Sequence, residues 1–210
     1  RERSIQSLLA ALRAAEQTPL VGREEEFDLL MRRWSQVKDG PGRVVLISGE
    51  PGIGKSPLTA ALLDRITPEN PLCLRYFCLP HHQSSALQPI VAQLTYAAGF
   101  SRDDTAATKR GKIEKVLARG SDDPAAAALM LADLLGLDAT PVSGAPMDPQ
   151  RKRAQVLALL LDQLKGLARR GPVLMIFEDA HWSDPTSLEL LTRTVDEMQP
   201  LPVLLIITFR

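Results

Sequence analysis

The sequence predicts an α/β fold in which a mainly parallel central sheet lies between two layers of helices. Three observations carry this expectation. Four short apolar runs alternate with helical stretches, the order that builds parallel sheets through helical crossovers. A glycine-rich loop joins the first run directly to a helix. The third run ends in two adjacent acids, Glu178 and Asp179.

At 210 residues, the chain is long enough for one sizeable domain with its own core. Apolar residues make up 45% and charged residues 24%, an ordinary globular balance. Lysine plus arginine equals aspartate plus glutamate at 25 each, so nothing pulls the whole molecule toward nucleic acid or an anionic membrane. Neither is expected as a direct partner. No apolar stretch approaches the ~20 residues needed to span a bilayer. The first residues, Arg1-Glu2-Arg3-Ser4, lead into an amphipathic pattern and do not read as a signal peptide. Cys73 and Cys78 lie five apart on one predicted strand, on opposite faces and out of bonding reach of each other. Buried, reduced thiols and a cytoplasmic location are therefore expected. A start without methionine reads as a piece of something longer.

The elements follow in order. Ile5, Leu8, Leu9 and Leu12 recur at helical spacing, so residues 1–18 read as a linker helix that ends at Thr18-Pro19. The domain proper is expected over 19–210. A second helix begins near Arg23, with Phe27, Leu30, Met31, Trp34 and Val37 on one face, and stops at Asp39-Gly40-Pro41-Gly42. Arg43 to Ser48 is a β-branched run, apolar on both sides, as a buried parallel strand should be. A helix through about Arg65 and a strand over Leu72 to Leu79 follow. Residues 84–170 form a helix-rich insert, weakly patterned and alanine-rich over 101–149. Within it, Asp123-Pro124 and Asp148-Pro149 are helix starts, aspartate capping and proline suiting the first turn. Thr140 to Pro149 reads as a loop. Val156, Leu157, Leu160, Leu161, Leu164 and Leu167 form a helical stripe that ends near Gly171-Pro172. Val173 to Phe177 is the third strand. Asp184-Pro185 starts a helix with Leu188, Leu191, Val195 and Met198 on one side, and Pro202 to Thr208 is the fourth strand.

Gly49-Glu50-Pro51-Gly52-Ile53-Gly54-Lys55-Ser56 matches G-x-x-x-x-G-K-[ST] completely. The glycines let the backbone turn so that successive N–H groups face an anion. The helix that follows adds its dipole and its free amides. Lys55 can reach the β- and γ-phosphates, and the Ser56 hydroxyl can ligate Mg²⁺. A chance match is expected in on the order of 1% of chains this long, and the strand-loop-helix context lowers that further. Pro57 disturbs the pattern. It is tolerable in a first helical turn but has no N–H where P-loop folds usually contact the α-phosphate.

Val173 to Asp179 has the form of a Walker B element, an apolar strand that delivers acids beside the phosphate loop. In open α/β sheets ligands bind at the carboxyl ends of the strands, where both motifs should meet. By position Glu178 takes the magnesium role and Asp179 orients or deprotonates the attacking water. The more usual order is aspartate then glutamate, so the reverse assignment stays open. Asp184 caps a helix, Trp182 packs against it, and His181 is a candidate for positioning water or sensing the γ-phosphate.

Val21-Gly22-Arg23-Glu24, the phosphate loop, Phe177-Glu178-Asp179-Ala180-His181-Trp182-Ser183-Asp184 and Ile207-Thr208-Phe209-Arg210 together resemble the AAA-type ATPase module of the STAND class of P-loop NTPases, over roughly Thr18 to Arg210. Such modules occur in bacterial multidomain signalling proteins, beside class III cyclase domains, helical repeats or LuxR-type DNA-binding domains. The resemblance implies a three-layer α/β/α fold of ASCE, AAA-like type. It also implies ATP and Mg²⁺ as ligands, adenine near Val21, Gly22 and Arg23, and a sensor 1 strand whose Arg210 contacts the γ-phosphate. His81-His82 recur in cyclase-linked relatives, and two adjacent histidines without a third ligand make a weak argument for metal binding. The chain departs from the pattern at Pro57 and in ending at sensor 1, without a fifth strand or a C-terminal lid.

The expected function is an ATP-binding, slowly hydrolysing switch module. Its implied partners are ATP and ADP, other domains of a parent protein and, as a further option, copies of itself. A non-catalytic, nucleotide-dependent scaffold or oligomerisation module is the alternative. A GTPase is disfavoured because no Asn-Lys-x-Asp motif is present.

Overall fold

The computed structural model describes residues 22–137 and 148–210. The expected linker helix over 1–18, Val21 and most of the Thr140–Pro149 loop lie outside them. The described elements are α1 (Glu24–Lys38), β1 (Arg43–Ser48), α2 (Lys55–Ile66), β2 (Leu72–Phe77), α3 (Gln88–Ala97), α4 (Ala106–Leu117) and α5 (Pro124–Leu131). They continue with α6 (Pro149–Ala168), β3 (Val173–Glu178), α7 (Pro185–Glu197) and β4 (Val203–Phe209).

Local chemistry accounts for the helix starts. Asp123 accepts from the amide of Ala126, Asp148 from that of Arg151, and Asp184 from those of Thr186 and Ser187. Each satisfies amides that the helix itself leaves free. Helix α1 carries three glutamates in its first turn and a lysine in its last, the signs its dipole favours. Lys38 and Trp34 both donate to Glu69, at 2.8 and 3.0 Å, which ties α1 to the end of α2. The Lys38 bond first, and then that of Trp34, holds the Glu69 carboxyl below its ordinary range.

The sheet is four-stranded and parallel, in the order β1-β4-β3-β2. Strand alternation separates two cores. Leu174, Ile176, Leu204 and Ile206 point to the face covered by α1 and α2, where they meet Leu30, Trp34, Leu58 and Leu62. Val173, Met175, Phe177, Val203 and Leu205 point to the other face, beneath α3 to α7. The result is an α/β fold of the P-loop NTPase kind, with helices on both faces.

Three expectations are corrected. Strand β1 is not buried on both faces: Val44 is 39% and Leu46 is 62% exposed. It pairs only with β4 among the described residues, and α1 and α2 cover only its Val45 and Ile47 side. On α7, Leu188 and Val195 are exposed, whereas Leu190, Leu191, Thr194 and Met198 are buried. The inward-turned Asp184 cap sets this rotation, because its carboxylate is 2% exposed and bonds the amide of Leu87 across the fold. Finally, Cys73 is exposed on edge strand β2, and only Cys78 is buried. Burial pushes the Cys78 thiol up to about 11, with its sulfur 3.0 Å from the Ser183 hydroxyl.

Candidate functional site

The loop after β1 turns on glycine. Gly52 and Gly54 have φ of 82° and 98°, left-handed values that glycine adopts without strain, and no atom lies within 4 Å of where a Cβ would stand on either. Gly54 is the N-cap of α2, and no side chain caps that helix. The loop residues Glu50, Pro51, Gly52 and Ile53 are exposed. Lys55 is the opposite: it is buried, and its ammonium folds back to donate to the carbonyls of Gly49 at 2.6 Å and Glu50 at 3.1 Å. Weak neutral acceptors therefore hold a cation at the mouth of an uncapped helix. That arrangement is suited to an anion, which would take over both the free amides and the lysine.

Parallel register brings the other motifs to the same end of the sheet. Ser48 lies opposite Phe209, and Phe77 opposite Glu178. Glu178 is 4% exposed and accepts four hydrogen bonds. Its Oε1 takes Thr59 Oγ1 at 2.9 Å and Arg75 Nη2 at 3.0 Å. Its Oε2 takes Ser56 Oγ at 3.3 Å and Thr208 Oγ1 at 3.4 Å. Thr208 also accepts from the amide of Asp179 at 2.9 Å, so the strand between the two motifs clamps both acids. Asp179 is half-buried and sits at φ 55°, a left-handed conformation that aspartate tolerates better than most residues. Adjacent acids thus occupy different settings. One is enclosed and fully bonded, and the other stands at a turn open to solvent.

The remaining expected residues are placed as follows. Arg23 Nη2 donates to the carbonyl of Ile53 at 2.6 Å, so the segment around Gly22 and Arg23 abuts the loop. Pro57 is the third residue of α2. Arg210 is exposed, its guanidinium carbon 5.7 Å from the Trp182 ring centroid. His181 packs against Trp182 with the rings tilted by 44°, and both its ring nitrogens are buried without a hydrogen-bond partner among the described residues. His81 and His82 lie on one short turn, and no cluster of three or more metal-ligating side chains occurs among the described residues.

Two residues at the site were not singled out from the sequence. Thr59 follows Ser56 by three positions on a helix and so shares its face, a signal that spacing alone contained. Arg75 is a lone charge inside an apolar strand run, a pattern that calls for a buried partner.

The donor set suits a nucleotide with a divalent cation. The uncapped helix start and the lysine address phosphate, and the paired oxygens of Ser56 and Glu178 are the hard ligands Mg²⁺ prefers. A separate cavity of about 270 Å³ lies between β2, α3, α6 and α7, with mostly apolar walls that include Leu74, Ile90, Leu94 and Met175. It touches neither the loop nor the acids. No helix among the described residues is long and apolar enough to cross a membrane.

Comparison with known proteins places the chain among relatives. The chain is 34% identical over 192 residues to an uncharacterized protein of Rhizobium meliloti (strain 1021), an alignment covering 91% of this chain and 18% of that protein. This chain therefore matches under a fifth of that relative's length. Among solved structures, Cdc6p from Pyrobaculum aerophilum aligns over 92% of this chain and 40% of its own, with 15% identity and a TM-score of 0.47. The family model described as AAA ATPase domain matches residues 19–207, which takes in the phosphate loop, the paired acids and most of β4. On that match, the chain belongs to the AAA ATPase domain family and is a nucleotide-binding module of it.

Proposed function

We propose that this chain is the ATP-dependent switch module of a larger bacterial signalling or regulatory protein, of the STAND type, and that it hydrolyses ATP slowly to ADP and phosphate. The observation that carries the reading is the uncapped start of α2, with Lys55 turned onto the loop carbonyls beside the Ser56–Glu178 pair. The roles follow from the placements. The amides of residues 50–56 cradle the β- and γ-phosphates, apart from the missing N–H of Pro51, and Lys55 exchanges two carbonyls for phosphate oxygens. Ser56 and Glu178 would hold Mg²⁺, which would supply positive charge to neutralise the phosphates. Asp179, half-buried on a turn fixed by Thr208, orients the attacking water and takes its proton. Gly22 and Arg23 flank the adenine, and Arg210 leaves Trp182 to meet the γ-phosphate.

The switch role is supported by context. The matched relative is far longer than this chain, as expected of one module among several. Nucleotide state would bias how the module packs against its neighbours. Titration with a fluorescent ATP analogue, with and without Mg²⁺, tests the reading. Saturable binding strengthened by Mg²⁺ and lost in Lys55→Ala is expected. Equal binding by Lys55→Ala would remove the loop from the site. Phosphate release that vanishes in Asp179→Asn tests the hydrolytic half.

A further inference from the structure

Arg75 is a charged side chain against the proposed cation ligand to which the roles above assign nothing. It stands on β2, its side chain 14% exposed, and contacts a Glu178 side chain that is 5% exposed. Its guanidinium carbon lies 5.2 Å from the Phe77 ring centroid, and its Nε is buried without a partner among the described residues. A guanidinium so placed is held chiefly by the carboxylate it faces.

Glu178 is saturated in this state. Arg75 and Thr59 occupy Oε1, and Ser56 and Thr208 occupy Oε2. A carboxylate offers about four lone-pair sites, and here each faces a donor, with the single Thr59 proton shared between Oε1 and the Ser56 carbonyl at 3.0 Å. Arg75 supplies the opposite charge that an enclosed carboxylate requires. A divalent cation held by Ser56 and Glu178 draws on the same negative charge. It must displace donors from Oε2 while a guanidinium remains on Oε1.

We propose that Arg75 is a positioning residue that competes with the divalent cation for Glu178, and so sets how much Mg²⁺ the site needs to bind nucleotide tightly. The inference rests on the nucleotide reading given above. In the empty site Arg75 stabilises the acid. In the loaded site it opposes the cation, keeping Mg²⁺ affinity low enough for nucleotide to leave.

The test measures the Mg²⁺ concentration at which half of the gain in affinity for a fluorescent ADP analogue is reached, in the wild-type chain and in variants. Arg75→Gln is expected to lower it about tenfold, the scale on which outer ligand partners act. Arg75→Lys keeps the charge but draws it back from the carboxylate, and is expected to lower the half-point about threefold, which keeps the proposal testable if Arg75→Gln does not fold. Thermal melts give a second readout: Arg75→Gln should melt below wild type in EDTA and gain more than wild type from Mg²⁺ with ADP. An unchanged or raised Mg²⁺ requirement in a folded variant overturns the proposal, a rise meaning that Arg75 helps to build the cation site. A wild-type chain that binds no nucleotide overturns both this inference and the function beneath it. Wild-type binding with an unmoved requirement in the variants overturns this inference alone.

Discussion

Helices α2 and α7 both start at the carboxyl end of the sheet, soon after a parallel strand, and their starts are built in opposite ways. Asp184 seals α7: one oxygen accepts from the amides of Leu87, Thr186 and Ser187, and the other takes the Ser187 hydroxyl at 2.5 Å. Helix α2 has only Gly54 at its cap position and no side chain on its amides. The first helix carries its own anion and is finished. The second leaves its anion site for something from outside. Of these two helix starts, the chain closes one with its own carboxylate and leaves the other open to an anion.

The sharpest way to break this contrast is Lys55→Ala. It should weaken ATP binding by 100-fold or more, about 3 kcal/mol, and shift stability by less than about 1 kcal/mol. Calorimetry with thermal melts measures both. Asp184→Ala should do the reverse. It strands three buried amides and should cost about 2–3 kcal/mol in urea unfolding, while ATP affinity per folded molecule stays as in wild type. Asp184→Asn, which retains an acceptor, should cost less. Comparable loss of ATP binding in Asp184→Ala and Lys55→Ala would sink the division between the two starts. Next in size, Gly54→Ala places a side chain at φ 98° and should cost about 1–2 kcal/mol of stability by strain alone, since the space beside it is open. Urea unfolding of the empty chain reads that term. The smallest effect is expected of Pro57→Arg, which restores an amide in the first turn of α2 and should tighten ATP binding by less than about 1 kcal/mol. Equal dissociation constants would show that the missing N–H is immaterial.

Much of the fold was legible. Strands β2, β3 and β4 start within one residue of the positions their apolar runs mark, and the Asp-Pro pairs locate three helix starts because aspartate and proline act within a few residues. The burial of β1 and the facing of α7 were not legible. Val44 and Leu46 look like core residues in sequence, and only the arrangement of neighbouring strands and helices leaves them exposed. Leu188 and Val195 fit a helical stripe, but periodicity marks an apolar face without fixing which flank of it turns inward. At the site, the residues at 49–56 were readable because the backbone turn demands that glycine pattern, and those at 178–179 because two acids end an apolar strand. Thr59 and Arg75 were not, because their roles depend on what stands opposite them.

Local rules were therefore enough to specify where the phosphate loop, the strands and the helix caps fall, since each depends on residues only a few positions apart. Tertiary structure alone decided that Glu178 would be enclosed by Ser56, Thr59, Arg75 and Thr208, drawn from three separate segments, α2, β2 and β4. The reason is the crossover topology: β4 is inserted between β1 and β3 with β2 outside them, so partners over 100 residues apart meet at one carboxylate.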